Sequence, residues 1–125
     1  MSSPIQSVVS LQYQLPAPGV SPSLFQKKAL SITGSNFVNA SITVPVTGSG
    51  IAIPVSNLAN LGMSEFLNQD PVNFVVLLSA VAGSPLLTML AGDPAQFRFN
   101  SHITAPALLA YGSSPVNVAY FILEN

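Results

Sequence analysis

Residues 72–91, VNFVVLLSAVAGSPLLTMLA, contain no charged side chain. A stretch this apolar has to be buried, and its punctuation decides how. Gly83, Ser84 and Pro85 break it in the middle, where a membrane helix of roughly 20 residues needs continuous helix formers. Asn73, Ser79, Ser84 and Thr88 would lose their water inside lipid, and no basic residue lies close to either end to set an orientation. The stretch therefore reads as two buried strands, residues 74–81 and 86–90, joined by a turn. The rest of the chain is expected to be organised around this hairpin.

Read in order, the remainder continues the pattern of short strands and turns. Val9, Leu11, Tyr13 and Leu15 alternate with Ser10, Gln12 and Gln14, the period of a half-buried strand. Pro16, Pro18, Gly19 and Pro22 follow, so residues 16–23 run extended as a loop or arm. Residues 29–33 form a short strand, stopped by Gly34, Ser35 and Asn36. Residues 41–47 and 51–55 flank Gly48, Ser49 and Gly50 and read as a hairpin. Pro45 and Pro54 inside those runs put both strands at a sheet edge or beside a bulge. Residues 56–68, SNLANLGMSEFLN, are the one helix candidate, capped by Ser56 or Asn57 and stopped by Asp70 and Pro71, with Gly62 weakening its interior.

Beyond residue 91, Gly92, Asp93 and Pro94 turn the chain into a strand in which Phe97 and Phe99 point opposite to Arg98. Pro106 marks an edge or bulge in residues 103–109, and residues 112–115 turn again. In residues 116–123, Val116, Val118, Tyr120 and Ile122 face one way and Asn117, Ala119, Phe121 and Leu123 the other. A strand with two apolar faces lies at the centre of a sandwich or under a partner. Turn signals about every ten residues make the chain all-β: an antiparallel β-sandwich or jelly-roll-like body at residues 26–125, with one short helix, behind an extended N-terminal arm at residues 1–25.

What sets this sequence apart is its lack of charge. Only 6% of its 125 residues are charged while 49% are hydrophobic, against roughly 25% charged in an ordinary globular chain. A free monomer stays soluble behind a mixed charged surface, whereas contact cores are depleted in charge. The composition points to a protein that works assembled, with itself as a homo-oligomer and with a larger partner. Its expected contacts are Val9, Leu11, Tyr13, Leu15, Pro16 and Pro18 in the arm, Leu24, Phe25, Lys27 and Lys28 just beyond it, and Arg98, Phe121 and Leu123 in the body. The arm can lie on a neighbouring subunit by strand addition. Arg98 is expected to face solvent, pair with a carboxylate such as Glu124, or anchor an interface.

Several function classes find no footing. Lys27, Lys28 and Arg98 are too few to neutralise a phosphate backbone, so no nucleic acid is expected. There is no cysteine, hence no disulfide, thiolate site or thiol nucleophile. His102 is the single histidine, with no second one to share a metal. The four carboxylates, Glu65, Asp70, Asp93 and Glu124, are dispersed, and no phosphate-binding glycine motif is present. No enzyme, cofactor or membrane association is expected. The triplet Asn39, Ala40, Ser41 matches a glycosylation acceptor only by chance, because the N-terminal residues have neither the basic nor the apolar region of a secretory signal.

The tract FRFNSHITAPALLAYGSSPVNVAYFILEN at residues 97–125, with the Ser, Gln and Pro-rich N-terminus and the near absence of charge, resembles the small accessory virion proteins of tailed bacteriophages. Among these it is most similar to the head decoration, or cement, proteins. The resemblance is one of size, composition and strand layout, without a motif that carries site residues across. It implies a compact β-rich body, a trimer or else a dimer, made in the host cytoplasm and seated on the capsid exterior. There it would bridge adjacent major capsid protein subunits and stiffen the shell against packaged DNA. The rival expectations are a tail tube or connector component and a carbohydrate-binding β-sandwich module; the latter would need exposed aromatic platforms.

Overall fold

The structure, a computed structural model, describes the backbone of residues 3–12 and 23–32 and, in full, residues 34–125. The chain divides into two compact units, Met1–Thr33 and Gly34–Asn125. In the first, β1 (Ser3–Gln12) runs antiparallel to β2 (Ser23–Ile32), with Ile5 opposite Leu30, Val9 opposite Gln26 and Leu11 opposite Leu24. The segment expected as an arm, residues 1–25, thus supplies β1 and the start of β2.

The second unit is all strand and turn. It comprises β3 (Phe37–Val44), β4 (Ile51–Ala52), β5 (Leu61–Asn68), β6 (Val75–Leu78), β7 (Pro85–Met89), β8 (Pro94–Arg98), β9 (Ala107–Ala110) and β10 (Val116–Glu124). These make two four-stranded antiparallel sheets, ordered β3-β10-β5-β8 and β4-β9-β6-β7. The chain changes sheet at every connection except the one between β6 and β7. Within this unit the first strand pairs with the last, the second with the seventh, the third with the sixth and the fourth with the fifth.

One apolar cluster is shared by both sheets. Phe66 from β5 and Val118, Tyr120 and Ile122 from β10 meet Val75 and Leu77 from β6, Met89 from β7 and Leu108 from β9. Phe66 is the hub: its ring stacks at 5.8 Å on Phe97 and 6.0 Å on Tyr120, and meets Phe99 edge-on at 6.3 Å. Such ring pairs stabilise beyond the area they bury. Burial pushes the Tyr120 hydroxyl above its ordinary pKa. β6 is buried on both faces; its Val76 and Leu78 join Ala107 and Leu109 in a second, smaller cluster.

Four expectations are corrected. Residues 61–68 form β5, and no helix occurs among the described residues. Ser64, Phe66 and Asn68 point inward while Met63, Glu65 and Leu67 point outward; two buried polar residues and two outward apolar ones erase the hydrophobic period of two. Gly62, read as a flaw in a helix, sits at a bulge where Ile122 faces Ser64 but Glu124 faces Leu61. A Cβ on Gly62 would lie 2.9 Å from the Leu123 carbonyl oxygen, so only glycine fits this approach. Second, residues 41–47 and 51–55 do not form a hairpin, because residues 45–50 carry the chain from one sheet to the other. β3 and β4 are nonetheless both edge strands, and each is followed by its proline.

Third, residues 72–91 do form antiparallel β6 and β7, but only β6 is buried; β7 is an edge strand that exposes Pro85, Leu86 and Thr88. No helix among the described residues is long and apolar enough to cross a membrane. Fourth, the longest strand of this unit, β10, replaces that hairpin as the organising element of its sheet. It alternates buried Val116, Val118, Tyr120, Ile122 and Glu124 with half-buried or exposed residues, and pairs with β3 on one side and β5 on the other.

At one end of the core, a single amide joins the two sheets. Asn68, fully buried on β5, donates from Nδ2 to the carbonyl oxygens of Asn73 (2.9 Å), Met89 (3.2 Å) and Leu90 (2.9 Å). Its Oδ1 accepts the Asp70 N–H at 2.9 Å. Asn68→Leu keeps the volume but leaves those buried groups unpaired, at a cost on the order of 3 kcal/mol. Urea denaturation should show that loss as a lower midpoint, and an unshifted midpoint would show that the carbonyls find other donors.

Candidate functional site on an outer sheet face

The outer face of the β3-β10-β5-β8 sheet is where alternation should place polar side chains, and along β3 it largely does. Asn39, Ser41 and Thr43 point outward, and Thr43 Oγ1 donates to Asn117 Oδ1 on β10 at 2.7 Å. Toward the other end of those strands the face turns apolar. Phe37 is 58% exposed and lies 5.9 Å, ring to ring, from Phe121. Leu123 pairs in register with Phe37, and Ala119 with Leu67 on β5. Ala119, Phe121, Leu123 and Met63 are half-buried and Leu67 is 39% exposed. Glu65, opposite Phe121, is the one carboxylate on this apolar part of the face.

The expected contact residues fall in three places. Phe121 and Leu123 come together on this face. Arg98 stands at the end of β8, opposite Met63. Its guanidinium Nη2 donates to Asn125 Oδ1 rather than pairing with Glu124, whose carboxylate is already filled by other donors. Val9 and Leu11 lie on β1, and Leu24, Phe25, Lys27 and Lys28 on β2, where Lys27 pairs with Val8 and Lys28 with Ser7. Tyr13, Leu15, Pro16 and Pro18 lie outside the described residues. Sequence reading missed Phe37, Met63 and Leu67. An aromatic side chain on the otherwise polar face of the β3 alternation was the available signal for the first.

Chemistry-bearing groups are held by backbone. Glu124, buried at the end of β10, accepts the N–H of Ala59 (2.9 Å), the N–H of Ser35 (3.1 Å) and Asn36 Nδ2 (3.3 Å). Asp70 Oδ1 accepts the N–H groups of Val72 (2.8 Å) and Asn73 (2.6 Å). Asp93 Oδ2 accepts the Leu90 N–H at 3.0 Å across a turn in which Gly92 takes φ 76°, a conformation glycine adopts without strain. His102 is exposed on a turn closed by its own N–H bond to Asn100 Oδ1. Among the described residues no three of His, Asp and Glu gather closely enough to hold a metal.

The donors around Glu124, chiefly the Ala59 N–H and then the Asn36 side chain, hold its carboxyl below the ordinary value of 4.5; those of Asn73 and Val72 do the same for Asp70. A carboxylate whose folded pKa is lowered adds stability that is complete above its unfolded pKa and lost as pH falls through the folded one. Glu124→Gln, which has no ionised oxygen to offer, should therefore unfold at a lower temperature than the native chain at pH 7. The gap should close as the pH drops below about 4. Thermal melts at pH 7, 4 and 3 check this; a gap independent of pH would mean that the carboxylate's charge plays no part.

Comparison with family models, with curated proteins and with solved structures finds no match for this chain.

Proposed function

We propose that the chain is a structural virion protein that decorates a bacteriophage capsid, bridging adjacent major capsid protein subunits as a homo-oligomer, a trimer by preference. The observation that carries this reading is the apolar outer face at Phe37, Ala119, Phe121 and Leu123, on a chain with 6% charged residues. An exposed apolar patch of this kind marks a protein contact. A second copy of the chain is its occupant, since a face with so few ionic groups has the charge-depleted character of a contact core between subunits.

The strand order agrees with this. Nested pairing of first with last strand, through fourth with fifth, in two sheets around one core, is the arrangement of a jelly-roll sandwich. Jelly rolls occur in viral capsid and in lectin domains alike. Fold by itself does not choose between these, so the weight rests on the face.

A specific observation favours a second reading, a carbohydrate-binding module. Phe74 and Tyr111, 38% and 45% exposed, stack at 5.1 Å, and Asn73 beside Phe74 donates from Nδ2 to Ser114 Oγ at 3.1 Å. Two exposed rings beside amide and hydroxyl groups can stack a sugar.

Sedimentation and capsid binding separate the two. The purified chain should form an oligomer in the micromolar range and bind DNA-filled heads. Phe37→Glu, at an exposed position, should give a folded monomer with weakened head attachment. A native chain that stays monomeric and ignores heads refutes the decoration reading. Selective capture on a glycan array, lost in Tyr111→Ala, would put the sugar module in its place.

A further inference from the structure

The first unit is a two-stranded sheet, so β1 and β2 each keep one edge with no ladder partner among the described residues. A lone two-stranded sheet is at best marginally stable in water; three or more strands with an apolar face are needed for it to stand by itself. The register supplies the face. Ile5, Val9 and Leu11 of β1 share it with Leu24, Leu30 and Ile32 of β2, and Lys28 is the one charged residue on it. What the sheet lacks is strands.

The two open edges differ in charge. Directly opposed residues of an antiparallel pair share a face, so a strand that pairs with its own image and keeps the faces continuous sets odd positions against odd and even against even. The two fullest such registers of β2 put Lys27 or Lys28 directly opposite its own copy. Like charges so placed are destabilising, and edge lysines discourage pairing. β1 carries no charged residue. Its two fullest registers put Ser7 or Val8 opposite its own copy, and the Val8 register also sets Ile5 against Leu11 on each side of the centre. Pro4 lies near the end of the strand, where a missing N–H removes at most one ladder bond. In the second unit β4 is two residues long and β7 and β8 begin with proline, which leaves β3 as the rival acceptor. Its own image matches β1 in length and carries the same apolar face, and two-fold symmetry makes every contact twice.

We propose that β1 is a self-association edge: it pairs antiparallel with β1 of a second copy about a two-fold axis at Val8, giving a four-stranded sheet in the order β2-β1-β1-β2 with one continuous apolar face. One strand against one strand is a small contact, below the roughly 1,200 Å² of stable interfaces. It is weak between free chains and strengthens where chains are already held together in an oligomer. The contact is independent of the decoration reading, since it uses neither Phe37 nor the outer sheet face of the second unit.

Covalent trapping reads such a weak contact, and a chain without cysteine suits it. Directly opposed residues have Cα atoms about 4.5–5.5 Å apart, within the range a disulfide spans. The full chain carrying Val8→Cys, oxidised with diamide, should form a disulfide-linked dimer about tenfold faster than the chain carrying Ala29→Cys on β2, in which both lysines remain. Gln6→Cys should cross-link slowly with itself, its own copy lying four residues or roughly 13 Å along the strand, but rapidly when mixed with Ser10→Cys, which the register sets opposite it. Val8→Cys should cross-link equally in the Phe37→Glu background, so the outcome is read apart from the decoration reading. The proposal is overturned if Val8→Cys reacts no faster than Ala29→Cys, or if the Gln6→Cys and Ser10→Cys mixture reacts no faster than either alone. It is also overturned if Val8→Cys links to Ser41→Cys on β3 faster than to itself, which would make the second unit the acceptor.

Discussion

The amide of Asn68 holds together what hydrophobic burial alone would leave loosely joined. Core packing brings the two sheets face to face, but it has no direction and tolerates sliding. Asn68 reaches from β5 to the carbonyls at the end of β7 and to the one just before β6, and its own oxygen turns the chain at Asp70. An amide has two hydrogens, so three accepting carbonyls share them. Around a fully buried side chain that shared geometry is stringent, since any displacement leaves a buried carbonyl unpaired. The register of β6, and through it the two-sided burial of Val75 to Leu78, follows from this anchor.

The same logic accounts for the charges. Of the four carboxylates, Glu124, Asp70 and Asp93 spend their oxygens on backbone N–H groups in turns and strand ends. Arg98 is engaged with Asn125. Most ions of the second unit therefore do the work of caps that hydroxyl or amide side chains perform elsewhere, at turns and strand ends rather than on the sheet faces. With three of the four carboxylates committed to turns and strand ends, Glu65 is left as the lone carboxylate on the apolar part of the outer face.

What the sequence made legible was carried by unambiguous alternation. β10 shows a clean period of two with Val, Tyr and Ile on one side, and its central position follows from the apolar residues on the other. The hairpin of β6 and β7 was legible from its apolar runs and Gly83 to Pro85 interruption. β5 was not, because Asn68 and Ser64 face the core for hydrogen bonding while Met63 and Leu67 face out toward the candidate contact surface. The residues that tie the sheets and build the face are the ones that spoil the pattern. Pairing across sheets was hidden for another reason: β3 and β4 are neighbours in sequence, but their partners β10 and β9 lie far along the chain, and turn residues cannot tell a hairpin from a crossing. Of the apolar outer face, Phe121 and Leu123 were legible from the two-faced strand, whereas Phe37 needed the register.

The edges explain why such a charge-poor unit can present an apolar face without pairing at random. Each sheet has two open edges. β4 is two residues long, with Pro54 two positions beyond its end, β3 stops just before Pro45, and β7 and β8 both begin with proline. A proline offers no donor to an incoming strand, and short edges give it little to pair with. Other chains discourage edge pairing with lysine; this unit contains none. Proline and brevity take over that task, which frees the outer face to be apolar. Edges built this way disfavour backbone pairing, which any strand can satisfy, and leave side-chain packing, which only a complementary surface can satisfy.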